Sequence, residues 1–195
     1  AKKVILATGA LERPLIFNNN DRPAIMLSSA VKKYADFYGV ICGQKTVFFT
    51  NNDSAYESAL CLHNKGVKVE AIIDIRDNSD SKIVKAVEDV GIKIHWSHTV
   101  VDTSGYKRLK NISVMKLSND GMSITGNKFE ISCDCLGVSG GWTPPVHLFT
   151  QSGGKLSFDE ENKVFLPNKY PSEQISIGSC NGDFKINEII KNLSK

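Results

Sequence analysis

The residues whose types and spacing could do chemistry lie between Thr46 and Asp74. There an apolar run, Thr46-Val47-Phe48-Phe49-Thr50, enters the polar turn Asn51-Asn52-Asp53-Ser54 and then a helix-forming stretch. A strand, a tight turn and a helix N-terminus present unpaired backbone N–H groups and a positive dipole end to a phosphate. The glycine-rich version of this turn, G-x-G-x-x-G/A, binds a dinucleotide pyrophosphate. Here its three key positions hold Thr50, Asn52 and Ala55. Ala55 is an accepted third residue, whereas the Thr50 and Asn52 side chains occupy space that glycines would leave open. The turn therefore has two readings: a weak phosphate site, or a turn whose N–H groups are capped from within by Asp53 and Ser54. Asp74 follows Asn52 by 22 residues, at the end of the next apolar run. An acid there accepts hydrogen bonds from an adenosine ribose and favours NAD over NADP; the alternative is a solvated strand end. The candidate cofactor-binding set is Thr50, Asn51, Asn52, Asp53, Ser54 and Asp74.

No other cluster has a catalytic pattern. His63, His95, His98 and His147 lack metal-ligand spacing. His95 and His98 are expected at a strand end, where residues three apart do not converge as they do on a helix. Cys133-Asp134-Cys135 is expected to place two thiols on one strand face as a buried pair. No nucleophile stands beside a base, so no catalytic residue and no metal ligand is assigned.

The elements that must carry the turn follow from periodicity. Val4–Ala7 reads as a buried strand, and residues 11–23, with two prolines and Asn18-Asn19-Asn20-Asp21, as a surface connection. Ser28 or Ser29 is expected to cap a helix that Gly39 closes. Thr46–Thr50 and Val67–Ile75 read as strands flanking a helix with small residues on one face, and Ser79 or Asp80 as the cap of a helix stopped at Gly91. Ile92–Trp96 gives a further strand. Such alternation implies a parallel sheet. Residues 99–106, 109–117 and 128–133 alternate apolar and polar types between turn residues, which implies an antiparallel three-stranded meander. Residues 134–141 read as a buried return strand, with a short helix after Pro144-Pro145. Two short strands, 163–166 and 174–177, precede a last helix over 184–193. The fold class is α/β, a Rossmann-like parallel sheet with an inserted antiparallel three-stranded meander.

The 195 residues suffice for one full domain and part of another. With 41% hydrophobic and 23% charged residues, the composition is that of a globular chain. A net charge of +3 with scattered lysines implies no nucleic-acid surface. No apolar run reaches the roughly 18 residues of a membrane span. Five cysteines without C-x-x-C give neither a disulfide framework nor a zinc ribbon. A soluble, cytoplasmic protein is expected. Because the chain opens directly on an apolar strand, it is expected to be a piece of a longer polypeptide.

Four landmarks in order are those of a two-dinucleotide flavoprotein: Ala7-Thr8-Gly9, the βαβ stretch 46–96, the meander running to Pro144, and Ile177-Gly178. ATGALERPLIFNNNDRPAIMLSSAVKKYADFYGV, then VFFTNNDSAYESAL with Asp74 beyond it, closely resembles the alpha subunit of heterotetrameric sarcosine oxidase over nearly the whole chain. The resemblance implies an outer dinucleotide domain at 1–23 and 144–195, with an NAD(P)-binding-like domain inserted at 24–143. It also implies part of an enzyme oxidising N-methylglycine. The amine would be oxidised on a flavin of the beta subunit, FMN would lie at the subunit boundary, and NAD and a folate-binding region would belong to alpha; smaller subunits complete the heterotetramer. Ser179 stands where related flavoproteins place an acid for the flavin ribityl chain, with Asp183 further on, so FAD is expected with the partner and NAD mainly in the outer domain. Two other roles remain open, an NAD-dependent flavin reductase and a non-catalytic scaffold that docks a partner subunit.

Overall fold

The computed structural model describes residues 2–193, which cluster as two compact units. One unit contains the described residues 2–13 and 142–193, and the other residues 14–141.

In the first unit, β1 (Val4–Leu6) precedes β2 (Leu11–Glu12). The chain then builds the second unit from β3 (Ile25–Leu27), α1 (Ser28–Phe37), β4 (Lys45–Thr50), α2 (Ser54–Asn64), β5 (Lys68–Asp74), α3 (Lys82–Asp89) and β6 (Ile94–Trp96). It continues through β7 (His98–Ser104), β8 (Asn111–Leu117), β9 (Ile124–Ser132) and β10 (Cys135–Ser139). β3, β10, β4, β5 and β6 form one five-stranded sheet in that order, all pairs parallel. β7, β8 and β9 form the antiparallel meander.

Strand alternation assigns each side chain to one of two cores. Phe48 and Ile72 join α1, α2 and α3 through Val31, Ala55, Ala59, Leu62, Val84 and Val87. Their neighbours Val47, Phe49, Ala71 and Ile73 join the meander through Val100, Ile112 and Val114. The sheet is therefore covered by helices on one face and by the meander on the other. This explains why its strands read as continuous apolar runs. Gly137 of β10 lies opposite Phe48, and a Cβ there would stand 2.6 Å from the Phe48 ring. A glycine in this central strand makes room for the aromatic side chain.

Several elements differ from expectation. β3 is an edge strand that its three residues were too short to announce, and α1 starts at Ser28 with Leu27 at the cap position and no side-chain cap bond. Ser81, rather than Ser79 or Asp80, caps α3, its Oγ accepting from the Val84 N–H at 3.4 Å. Within 11–23, Leu11–Glu12 pairs with β11 (Trp142–Thr143). Residues 14–23 are held to the second unit by Arg22, which donates to Thr103 and to the Gly105 carbonyl, and by Asn19, which donates to Asp102 at 2.7 Å.

The remaining elements of the first unit are α4 (His147–Gln151), β12 (Lys155–Asp159), β13 (Val164–Lys169), β14 (Gln174–Ser176), a 3₁₀ turn at Gly178–Asn181, and α5 (Ile186–Leu193). β12 pairs antiparallel with β13, an unanticipated hairpin whose exposed Phe158 and Phe165 rings meet at 5.2 Å. β14 runs parallel to β1. Val4, Ile5 and Ile175 on this pair are exposed.

The histidines correct a second expectation. Ser97, at φ 55°, turns the chain sharply between β6 and β7, so the His95 and His98 rings meet at 5.5 Å and both pack on Phe129. Among the described residues no group of three metal-ligating side chains accompanies them. Burial, then the charges of Lys93 and His98, push His95 down to about 4. Its folded value lies below its unfolded value, so the neutral ring's contribution is complete above about pH 6.5 and is lost progressively as pH falls toward 4. Thermal midpoints measured between pH 7 and pH 4 are expected to fall more steeply for the wild type than for His95→Phe; parallel curves would refute this assignment.

Candidate functional site

A parallel sheet has its ligand crevice at the carboxyl ends of strands where the order reverses. In this sheet β5 and β6 lie to one side of β4 and β10 lies to the other, so the switch point lies between the ends of β4 and β10, with Thr50 in register with Ser139. The fingerprint-like turn projects from this point.

The turn supplies its own partners. Thr50 is fully buried; its Oγ1 accepts from the Asn52 N–H at 3.1 Å and donates to the Asn52 carbonyl at 2.9 Å. The Thr50 hydroxyl thus holds the tight bend that a first glycine would otherwise permit. Asn52 is absent from the non-glycine residues with positive φ, so the turn does not use left-handed geometry at that position. Its carboxamide instead crosses the switch point. Nδ2 donates to Ser139 Oγ at 3.0 Å and to the Ser139 carbonyl at 3.3 Å, while Oδ1 accepts from the Ser54 N–H at 3.0 Å and from Ser54 Oγ at 2.5 Å. Asn51 Nδ2 donates to the Gly140 carbonyl at 3.4 Å, and its backbone N–H to the Ser139 carbonyl at 3.3 Å.

The expected capping by Asp53 is therefore corrected. Asp53 occupies the cap position of α2 with a helical backbone but makes no side-chain cap bond. The Asp53 carboxylate turns to Arg76 at 2.8 Å and to Ser79 at 3.2 Å. Burial acts to raise its pKa, but hydrogen bonds from Arg76, Ser81 and Ser79 and the Arg76 charge hold it below the ordinary carboxylate value.

Asp74, at the end of β5, is not a solvated residue. It is fully buried, and Oδ2 accepts from the Tyr56 hydroxyl at 2.8 Å and from Arg76 Nη2 at 2.7 Å. Oδ1 accepts from the Arg76 backbone N–H at 2.9 Å and from Nε at 3.1 Å. These donors fill the roughly four lone-pair positions of a carboxylate. Burial, and then the Asp74 charge, push the Tyr56 phenol up, so Tyr56 remains a donor. Burial disfavours the Arg76 cation, but the bonds and charges of Asp74 and Asp53 outweigh it and raise its pKa. Tyr56 also stacks on Trp96, centroids 6.2 Å apart. Two carboxylates and one guanidinium leave this end of the crevice with an excess negative charge, which opposes a pyrophosphate.

Arg76, Tyr56 and Ser139 were not singled out from sequence. Asp-x-Arg at a strand end was a legible signal that the Arg could fold back on the acid. Ser139 carried none, since its place depends on β10 pairing with β4. The cysteines also differ from expectation: Cys133 lies in the meander-side core and Cys135 in the helix-side core, because β9 ends before Asp134 and β10 begins after it. Asp134 itself accepts from the Lys45 and Gln44 N–H groups. Burial pushes both thiols up to about 12, so they are unreactive. In the first unit, Ser179 lies in the 3₁₀ turn after β14, and the Asp183 N–H donates to the Gly178 carbonyl.

No protein-family model matches the chain. Over 186 residues, 94% of its length, it is 39% identical to sarcosine oxidase subunit alpha of Corynebacterium sp. strain P-1, of which it covers 19%. It spans about a fifth of the length of the curated relatives it matches. Among solved structures, T. acidophilum thioredoxin reductase superposes with TM-score 0.69 at 17% identity, covering 94% of this chain and 59% of that one. L-proline dehydrogenase from P. horikoshii superposes with TM-score 0.59 at 19% identity, covering 100% and 35%. These likenesses show a Rossmann-like fold.

Asp74→Asn removes the charge that Arg76 and Tyr56 converge on. Because breaking one side of a buried pair costs about 3–5 kcal/mol and Arg76 retains some exposure, a loss near the lower end, about 3 kcal/mol, is expected in urea unfolding. A loss below about 1 kcal/mol would show the network to be as weak as a surface pair.

Proposed function

From a chain that corresponds in sequence to one segment of the sarcosine oxidase alpha-subunit family, we propose a dinucleotide-domain segment whose central unit organises structure and leaves cofactor binding to its surroundings. The observation that carries this reading is the Asn52 carboxamide, which spans the switch point from Ser54 to Ser139. It occupies hydrogen-bonding groups that a pyrophosphate would use. Thr50, Asn51, Asn52, Asp53, Ser54 and Asp74 then line the crevice as a self-satisfied set.

On this reading the first unit, bounded at residues 13 and 142 rather than at the expected 23 and 144, belongs with an outer dinucleotide domain, which takes NAD. The exposed apolar residues of the parallel pair β1–β14 support it, since parallel sheets are ordinarily covered on both faces. Oxidation of sarcosine, or of a related N-methyl amine, takes place on a flavin of a beta subunit, with FAD and FMN in or beside that partner and folate bound elsewhere in the full cytoplasmic complex. The segment itself carries no catalytic residue. A self-contained NAD-dependent flavin reductase is the rival: it requires a nucleotide-competent crevice in the central unit, which the filled switch point opposes.

Calorimetric titration of the chain with NAD to about 1 mM, the range of a weak site, is expected to give no saturable heat. Saturable binding that Asn52→Asp abolishes would overturn the self-filled crevice. Separately, the full-length subunit is expected to co-purify with a flavoprotein subunit and to oxidise the amine only in that complex. Full activity of the isolated subunit would exclude this assignment.

A further inference from the structure

We propose that Arg76 is a built-in substitute for the ADP half of a dinucleotide, a cationic staple that ties the β4–α2 turn to the end of β5. This deepens the reading of a self-filled crevice and rests on it. In a nucleotide-loaded domain of this type the cofactor itself joins those two places, its pyrophosphate at the turn and its ribose at the acid ending the second strand. Here one guanidinium spans both. Nη1 meets Asp53 on the turn at 2.8 Å, while Nη2 and Nε meet Asp74 at 2.7 and 3.1 Å. The Arg76 guanidinium carbon also stands 5.9 Å from the Tyr56 ring centroid, over the face of the residue that bonds Asp74 from α2.

The charge pattern supports substitution over recruitment. A site awaiting a phosphate would keep its arginine available, whereas each arm of Arg76 is committed to a carboxylate and the turn contributes Asp53 where an anion would approach. The planar fork is also what the geometry requires, because a lysine ammonium is a point charge that cannot make the same divided contact. Arg76 is thus a positioning residue: it fixes the turn against the end of β5 without a nucleotide.

Amide hydrogen exchange tests this on the chain with and without NADH at about 1 mM. Arg76→Ala is expected to accelerate exchange by about tenfold or more at both 52–56 and 74–76, the effect of losing charge-assisted bonds, while 111–117 in β8 is unchanged. Arg76→Lys is expected to leave 52–56 accelerated. Acceleration at 74–76 alone, or full restoration by lysine, would overturn the staple. If Arg76→Ala does not fold, Asp53→Asn keeps the Asp74 pair and should accelerate 52–56 alone; unchanged exchange there would likewise overturn it. NADH protection of 52–56 in the wild type, with the Arg76 effects as expected, would refute the self-filled crevice and with it Arg76 as a substitute for the nucleotide, whereas the Arg76 outcomes above test the tie itself.

Discussion

Polar groups cannot be left unsatisfied where a parallel sheet reverses its strand order, and the rest of the structure depends on how that demand is met. At the ends of β4 and β10 stand the Ser139 carbonyl and hydroxyl on one side and the Ser54 N–H of α2 on the other. A bound nucleotide is one way to satisfy them. Here Asn52 does so with a side chain, bonding Ser139 through its amide nitrogen and Ser54 through its oxygen. Asp53, beside that bridge, makes no cap bond and pairs instead with Arg76.

The second consequence is electrostatic. Asp74 is fully buried, a position tolerable for a carboxylate only with charge-assisted partners. Arg76 and Tyr56 supply them, and Arg76 reaches Asp53 in the same gesture. The acid expected at the end of the second strand of a nucleotide domain is therefore present in type and place, yet its lone pairs are directed into the protein. The structure has a Rossmann-like frame in which these polar groups bond one another.

Below this edge, packing follows from strand alternation. Phe48 and Ile72 face the helices, their neighbours face the meander, and Gly137 yields volume to Phe48. This arrangement places the β4 and β10 ends side by side without depending on the identity of the turn residues. It accounts for how the fold of T. acidophilum thioredoxin reductase and P. horikoshii L-proline dehydrogenase is reproduced at 17–19% identity with Thr50 and Asn52 in the turn.

What the sequence determined by itself was the local and periodic part. The apolar runs Thr46–Thr50 and Val67–Ile75, the glycine stops and the alternating meander specify strands and helices through short-range geometry, and the TNNDSAY turn with Asp74 marks where a nucleotide would sit. What only the tertiary structure decided was pairing across long separations. Ser139 meets Asn52 from 87 residues away, and β3 exists as a strand because β10 accepts it. Cys133 and Cys135 part into two cores because the chain changes sheets at Asp134, and His95 meets His98 because Ser97 turns the chain sharply. The direction of the Asp74 carboxylate belongs to the same class. A residue type states what a group can bond; only the neighbours that folding brings to it decide what it does bond.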